Sequence, residues 1–201
     1  MKPIVFLSLI ILISCSRKST EMEDASTFSQ VHINPKIKNE EVFGLLDSQK
    51  EYNMLEDTIQ MKTSAVLYYS KRKEDLEIPY SYLYYKCRAE IINDTLVIRI
   101  GSTQYLSDHG IEIKYKNGKF QSLPFSTSDV TDSSEPKKTK DVFLLRNRKL
   151  ILDKLDYKNG DTVFGRIHTE IEEAEKKKWH NKYYTYEYFA DGYFKTKISE
   201  L

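Results

Sequence analysis

The sequence predicts a mainly β fold, an antiparallel sandwich or barrel-like domain of about eight or nine strands that follows a flexible N-terminal tether. Runs of β-branched and aromatic residues recur from residue 63 onward, and the chain holds 15 Tyr, a residue that favours pleated surfaces. Turn dipeptides separate these runs at short intervals. No long stretch of helical periodicity lies between them, which is typical of an all-β domain.

Residues 40–62 leave the local structure open. Two apolar groups could each begin a helix, namely Val42, Phe43, Leu45 and Leu46, and then Tyr52, Met54 and Leu55. Further along, the pattern changes to that of strands, predicted over residues 63–70, 80–92 and 95–100. Asn93-Asp94 lies between the last two and predicts a two-residue turn, because both residue types tolerate the positive φ that such turns need.

Two further strands are predicted around a tight turn in the middle of the chain. Ile111, Ile113 and Tyr115 alternate with charged residues, as in a strand with one buried face. Asn117-Gly118 follows, and Asn-Gly between such runs is the strongest short-range hairpin signal. The next segment, residues 126–140, is rich in Ser, Thr, Asp and Lys and is predicted to be a loop.

The C-terminal part of the chain predicts two more pairs of strands. Residues 143–153 and 162–171 flank the turn residues Asn159-Gly160-Asp161. Residues 172–178 are charged and are predicted to connect this pair to a last hairpin. That hairpin is predicted from two strands, over residues 183–189 and 193–198, that flank Ala190-Asp191-Gly192.

The first fifteen residues carry the pattern of a secretory signal. Lys2 precedes an apolar run over residues 4–13, and ten helical residues rise only about 15 Å, roughly half the thickness of a membrane core. The run ends in Leu12-Ile13-Ser14-Cys15, which resembles the lipobox of bacterial lipoproteins. The resemblance implies that residues 1–14 are a signal peptide. It also implies that the Cys15 thiol carries lipid, palmitate included, as a membrane anchor.

The lipobox resemblance has consequences for location and domain boundaries. Asp after the lipidated cysteine retains enterobacterial lipoproteins in the inner membrane, so Ser16 in that position implies the outer membrane. Residues 15–39 are expected to be a lipidated flexible tether, because they are polar and lack periodicity. Residues 40–201 are expected to form a single mainly β domain. The predicted place is the cell envelope, facing either the periplasm or the cell surface.

A second resemblance concerns modification. The segment Leu150-Ile151-Leu152, with Tyr157, Gly160-Asp161, Gly165 and Ile167 after it, is similar to segments of small β-rich lipoproteins of the Bacteroidetes group, many of which have no assigned function. That group O-glycosylates exported proteins at Asp-Ser/Thr-apolar sequences. The match at three such tripeptides implies modification of at least one of Thr58, Thr95 and Thr162. The same tripeptide is also typical of a turn that enters a strand, and this alternative stays open.

The composition excludes several classes of protein. Without Lys2 the mature chain holds 30 basic and 30 acidic residues, so it lacks the positive charge that general nucleic-acid binding needs. Cys87 is the one cysteine besides Cys15, which excludes a disulfide framework. Cys87 lies in a strand-like run and is predicted to be a buried, unreactive thiol.

The sequence contains no recognisable motif for catalysis, a metal or a cofactor. His32, His109, His168 and His180 lack metal-ligand spacing, and His109 is placed in a turn. Neither a Gly-x-Ser-x-Gly motif nor a Gly-rich phosphate loop occurs. His168 and Glu170 are two residues apart in a predicted strand, so they are expected to face one way and could do acid–base work. A solvent-exposed histidine without catalytic role is the alternative.

The strongest binding candidate in the sequence is the aromatic C-terminal segment. Tyr184, Tyr186 and Tyr188 alternate, so they are expected to share one strand face, and Tyr193 follows on the partner strand. Trp179 precedes them closely. Exposed aromatic rings here would stack on sugars or contact a partner protein. The alternative is that these rings pack across neighbouring strands.

Three functions remain open at this point. The favoured one is a membrane-anchored cell-envelope lipoprotein that acts as a non-enzymatic binding or structural module, without a cofactor, for an envelope protein or a glycan. The second is an immunity or inhibitor lipoprotein that blocks a toxin or a hydrolase. The third is an enzyme whose site assembles from residues distant in sequence, and a deep pocket that holds His168 and Glu170 would favour it.

Overall fold

A computed structural model of the protein describes residues 23–53, 58–73, 75, 82–84, 86–104, 107–128, 142–173, 177–179 and 182–199. The predicted signal peptide, Cys15 and most of the predicted loop over residues 126–140 lie outside the described residues. Within the described part the elements are β1 (Glu23–Asp24), β2 (Ser29–Gln30), β3 (His32–Ile33), a 3-10 helix (Ile37–Asn39), α1 (Glu41–Ser48), β4 (Lys50–Asn53), β5 (Thr58–Met61), β6 (Ser64–Arg72), β7 (Tyr82–Tyr84), β8 (Lys86–Ile92), β9 (Thr95–Gln104), β10 (Ser107–Lys116), β11 (Lys119–Ser128), β12 (Phe143–Leu152), β13 (Thr162–Glu173), β14 (Lys177–Trp179), β15 (Lys182–Tyr184) and β16 (Tyr186–Lys197).

The larger of the two main sheets has β13 and β16, twelve residues each, near its centre. Its strands follow the order β1-β12-β13-β16-β6-β7, and all neighbours on this path are antiparallel. The short strand β3 also pairs with β12, in parallel. Alternate residues of β13 are buried, because successive side chains of a strand point to opposite faces of the sheet.

The smaller main sheet has the order β2-β11-β10-β9-β8 and is built on tight hairpins. Asn93 and Asp94 join β8 to β9 with φ values of 48° and 59°. Asn117 and Gly118 join β10 to β11 with φ values of 51° and 75°. The hairpins predicted at Asn93-Asp94 and Asn117-Gly118 are therefore confirmed.

The two main sheets pack face to face around one hydrophobic core, which confirms the predicted antiparallel sandwich. The buried hydroxyls of Ser122 and Thr169 lie 3.0 Å apart in this interior, so each has a hydrogen-bond partner. Fully buried core residues that come from both sheets include Ile98, Ile100, Ile111, Ile113, Leu150, Leu152, Ile167 and Ile171.

The predicted last hairpin is wrong. β16 is a single strand, Asp191 and Gly192 lie in its middle, and it pairs with β13 on one side and β6 on the other. A Cβ atom on Gly192 would lie 2.1 Å from the carbonyl oxygen of Ala65. Gly192 thus marks a close approach between two strands, a role in which glycine is common, and not a turn.

The predicted tether over residues 15–39 is too long, because residues 23–39 belong to the domain. β1 and β3 pair with β12, β2 pairs with β11, and Ala25 is fully buried. Arg148 of β12 donates hydrogen bonds to the carbonyl oxygens of Ala25 and Thr27 and to the hydroxyl of Ser29. Strands of two residues are too short to show periodicity, which explains why the sequence pattern misses them.

Residues 40–62 form one helix and a two-stranded ribbon. The first group that could begin a helix lies in α1, and its buried Phe43 and Leu46 pack onto the outer face of the larger sheet. The second group does not begin a helix at Tyr52, because Tyr52 lies in β4, which pairs antiparallel with β5. We call the pair β4 and β5 the ribbon.

Candidate functional site

Three neighbouring strands of the larger sheet bring polar side chains together on its outer face, which points away from the sandwich core. The register places Lys149 of β12 beside His168 of β13, and His168 beside Asp191 of β16. Side chains alternate between the two faces of a strand, and the residues next to these in each strand are buried in the core. These side chains therefore point outward. We call the following residues the outer-face cluster: Asn147, Lys149, Arg166, His168, Glu170 and Asp191.

His168 lies between two carboxylates in this cluster. Its Nδ1 is 3.3 Å from Asp191 Oδ1, and its Nε2 is 3.1 Å from Glu170 Oε1. Nδ2 of Asn147 lies 3.2 Å from the same Nε2. The prediction that His168 and Glu170 face one way is confirmed, and the polar partners on both ring nitrogens hold the imidazole in one orientation.

The cluster lines an open depression of about 220 Å³. Enclosed ligand pockets usually measure roughly 300–1,000 Å³, so the depression is smaller than a typical ligand pocket and is partly open to solvent. Its lining holds both positive and negative side chains. Arg166 Nη2 lies 3.5 Å from Asp191 Oδ1, and Lys149 is exposed to solvent. The residues that line it are Asn147, Lys149, Ile151, Arg166, His168 and Asp191.

Helix α1 covers the part of the outer face next to the depression. Phe43 contacts Phe164 and Tyr193 edge to face, with ring centroids 5.2 and 5.9 Å apart. The guanidinium of Arg166 lies 5.2 Å from the centroid of the Tyr193 ring. The helix therefore fixes the position of Tyr193, which in turn supports the arginine in the wall of the depression.

Farther along the outer face, a buried carboxylate binds two cations. β13 continues through Glu172, which is 5% exposed, so the prediction that residues 172–178 form a charged connector is wrong at its start. Glu172 pairs with Lys73 at 2.6 Å and with Arg146, which also pairs with Glu187 at 3.1 Å. Burial on its own raises the pKa of Glu172, but the hydrogen bonds from Lys73 and Arg146 outweigh it and lower the pKa below its usual value.

Aromatic rings border the outer-face cluster on the β6 side. Tyr69 and Phe189 are cross-strand partners whose rings stack with centroids 5.0 Å apart. The His168 ring meets Phe189 edge to face at 5.6 Å. The outer face thus combines hydrogen-bonding groups with flat apolar rings, a mixture that is common where proteins bind other macromolecules.

The predicted tyrosine face is divided between several surroundings. Tyr186 and Tyr188 share the core-facing side of β16, and Tyr188 donates a 2.7 Å hydrogen bond to Glu173 Oε1. Tyr184 lies in β15, with the guanidinium of Arg72 4.5 Å from its ring centroid. Tyr193 points to the outer face, where α1 contacts it. Trp179 lies in β14, which pairs with β15.

Cys87 is buried in β8, as predicted, and burial raises the pKa of its thiol. His109 lies within β10 and not in a turn, and burial lowers its pKa although Asp108 opposes the shift. His32 is exposed in β3. His180 lies outside the described residues.

The three threonines of the Asp-Thr-apolar tripeptides are each the first residue of a strand. Thr58 begins β5, Thr95 begins β9 and Thr162 begins β13. Thr58 and Thr162 are exposed, whereas Thr95 is half-buried. A turn that enters a strand and a modification site both fit these positions, so both interpretations stay open.

Sequence reasoning missed most of the outer-face cluster. The sequence pattern predicts Asp191 in a turn, and nothing in the sequence connects it or Lys149 to His168. Only the alternation of Arg166, His168 and Glu170 along one strand is visible before the pairing of strands is known.

Within the described part of the chain, no group of three or more His, Cys, Asp or Glu residues is arranged to hold a metal ion. Among the helices described there, none combines the length and the apolar character that crossing a membrane requires. No protein-family model, no curated protein and no solved structure matches the chain. The geometry of the site is therefore the basis for a functional proposal.

Proposed function

We propose that this protein is a lipid-anchored lipoprotein of the bacterial cell envelope, held in the outer membrane through Cys15. It acts as a non-enzymatic binding module, and the outer face of the larger sheet contacts a protein or a glycan of the envelope. The open depression at His168 is the observation that carries this proposal.

The N-terminal sequence supports the anchor. Leu12-Ile13-Ser14-Cys15 ends an apolar run that is too short to span a bilayer. Each buried CH₂ of an acyl chain contributes about 0.8 kcal/mol to membrane attachment, so a cysteine with several chains remains attached. Ser16 in place of Asp favours the outer membrane.

The shape and chemistry of the outer face support a binding role. The depression is partly open to solvent, and charged groups of both signs line it next to the stacked rings of Tyr69 and Phe189. The lining residues offer hydrogen-bond donors and acceptors from an amide, an ammonium, a guanidinium, an imidazole and a carboxylate. Such a surface suits a large polar partner better than a small substrate.

The anchor is tested by metabolic labelling of cells with a palmitate analogue. The parent protein should incorporate the label and sediment with membranes after a carbonate wash, whereas Cys15→Ser should do neither. A Cys15→Ser variant that still sediments with membranes after the wash would show that the attachment does not depend on the lipidated cysteine.

The binding face is tested by site-specific photocrosslinking in the native envelope. The photoreactive residue replaces Lys149 in the outer-face cluster, or Lys114 in a matched control. Lys114 also lies on a solvent-facing strand surface, but in the smaller sheet, where it pairs with Glu112 at 3.2 Å. We expect a discrete crosslinked product from position 149 and none from position 114.

The chemistry of the product separates the two partners. A product whose tryptic digest holds peptides of a second protein joined to the segment around position 149 contains a protein partner, and one that a cell-wall hydrolase shortens contains a glycan. The same products from both positions, or a product from position 114 alone, would contradict the assignment of the binding face.

A further inference from the structure

The ribbon and the neighbouring end of α1 display an unusual amount of apolar surface. Tyr52 and Ile59 are direct cross-strand partners, and they are 59% and 69% exposed. Met61 follows two residues later on the same face of the ribbon and is 48% exposed. Leu45 of α1, which packs beside β5, is 59% exposed. Four of the eight large exposed apolar side chains in the described part of the chain thus lie in one short segment.

The short distance along the chain from Cys15 to the domain limits where this surface can be. Only seven residues lie between Cys15 and Glu23, the first residue of β1, so eight Cα–Cα steps join the two. Fully extended, they span at most about 26–29 Å. A domain of this size has a radius of gyration of about 16 Å, so a lipid on Cys15 keeps its surface close to the bilayer.

The position of β1 allows the ribbon to reach that bilayer. β1 pairs with Leu144 and Leu145 near one end of β12, and α1 covers Ile151 near the other end. The six residue steps from Leu145 to Ile151 cover about 20 Å of strand, which is shorter than the reach of the chain between Cys15 and β1. The acyl chains can therefore enter the membrane beside α1 and the ribbon.

We propose that the ribbon rests in the interface of the membrane that holds the lipid anchor, with Tyr52, Ile59 and Met61 inserted among the acyl chains and headgroups. Tyr suits this zone because it has an apolar ring and a polar hydroxyl. Lys50, which is exposed and lies directly opposite Met61, extends its ammonium towards the headgroup phosphates. This contact rests on the proposed anchoring, and it orients the domain so that the outer face has a defined direction.

The experiment uses the mature chain, residues 15–201, with Cys15→Ser, so that no lipid contributes to binding. Co-sedimentation with vesicles of phosphatidylethanolamine and phosphatidylglycerol is measured for this chain and for a ribbon variant, Tyr52→Ser, Ile59→Ser and Met61→Ser. The matched control is Ile92→Ser with Leu155→Ser, two side chains of similar exposure elsewhere, at 42% and 51%. Thermal unfolding checks that all three chains are equally folded.

We expect the chain with the intact ribbon and the control chain to bind vesicles. The partition constant of the ribbon variant should be at least about tenfold lower, because burial of one large apolar side chain changes a partition constant by about this factor. Absence of vesicle binding by the chain with the intact ribbon, or equal binding by all three, would overturn the proposal. The proposal would also be overturned if no chain binds vesicles and the parent and control chains are dimers while the ribbon variant is a monomer. The ribbon would then contact a second copy of the chain. Palmitate labelling of Cys15 tests the anchor separately, so a failed anchor and a failed ribbon give different results.

Discussion

Gly192 of β16 lies directly opposite Val66 of β6, and the two backbones approach so closely that no side chain fits between them. A Cβ on Gly192 would lie 2.1 Å from the oxygen of Ala65 and 2.7 Å from the Cα of Val66. The φ of Gly192, +148°, is also one that L-residues rarely adopt. The glycine therefore permits the close pairing of a central strand with its neighbour.

Gly192→Ala is expected to destabilise the whole domain. Backbone strain alone costs about 1–3 kcal/mol, and a displacement of β6 adds to it. Gly44→Ala is the matched control, because it adds the same methyl group in α1, where no atom lies within 4 Å. Ala is better than Gly in a helix by roughly 0.5–1 kcal/mol, so the control should be slightly more stable than the parent. Thermal unfolding of both variants measures the difference, and a Gly192→Ala protein as stable as the parent would contradict the close approach.

The same glycine shows where sequence patterns stop being sufficient. Asn93-Asp94 and Asn117-Gly118 predict their turns correctly, because a positive φ is a local property of the two residues concerned. Asp191-Gly192 carries a similar local signal, yet pairing with β13 and β6 on either side keeps the chain extended there. A local signal cannot distinguish a turn from a close contact with a strand distant in sequence.

The candidate site is less predictable than the fold for a related reason. The spacing of His168 and Glu170 is enough to place both on one face of a strand. Lys149 and Asp191 reach His168 only through the register of three strands, and a shift of one residue would turn each set of side chains to the opposite face. Sequence reasoning can therefore predict the pair within β13 but not the cluster.

Cys87 is expected to be unreactive in the folded protein. It is 4% exposed, and burial raises the pKa of its thiol, so very little of the reactive thiolate forms near neutral pH. Titration of the mature Cys15→Ser chain with Ellman's reagent should detect one thiol in denaturant and almost none in native buffer. Rapid reaction of the native chain would mean that the β8 edge opens readily.

Glu172 is expected to contribute a pH-dependent part of the stability. Its pKa is lowered in the folded protein, where the hydrogen bonds from Lys73 and Arg146 outweigh the effect of burial. Its contribution is therefore complete above the unfolded value of about 4.3 and is lost as the pH falls through the lower folded value. Glu172→Gln should lower the free energy of unfolding at pH 7 by about 1–3 kcal/mol and should flatten its decline below about pH 4.

Glu90→Gln is the matched control for this change. Glu90 also pairs with an arginine, Arg99 at 2.8 Å, but on the solvent-facing side of the smaller sheet. Exposed ion pairs contribute roughly 0–1 kcal/mol, so the control should stay close to the parent at every pH. Urea unfolding between pH 3 and pH 7 gives both curves. Parallel curves for Glu172→Gln and the parent would show that the buried carboxylate is not the group that titrates.

Arg148 is expected to hold the N-terminal segment onto the sandwich. It is opposite the buried Thr169 in β13, so its side chain points inward, where its guanidinium lies 5.6 Å from the centroid of the Phe120 ring. Its donors bind the carbonyl oxygen of Ala25 at 2.8 Å and the hydroxyl of Ser29 at 2.8 Å, and they also bind the carbonyl of Thr27. A charged group in such a position is stable only with hydrogen-bond acceptors, and the N-terminal segment supplies them.

Arg148→Ala should therefore loosen residues 23–33 and lower the free energy of unfolding by about 1–3 kcal/mol, the usual cost of lost hydrogen bonds to a charged group. Hydrogen exchange locates the effect, because the amides of Ala25 and Val31 donate to Phe143 and Gly118 in the rest of the domain at 2.8 and 3.0 Å. Both amides should exchange faster in the variant, while amides in the centre of β13 keep their protection. Arg88→Ala, a change of the same size at an exposed position in β8, should leave all of them unaltered. If Arg148→Ala leaves Ala25 and Val31 protected, the short strands β1 to β3 hold the segment without the arginine, and Arg148 is not what joins it to the core.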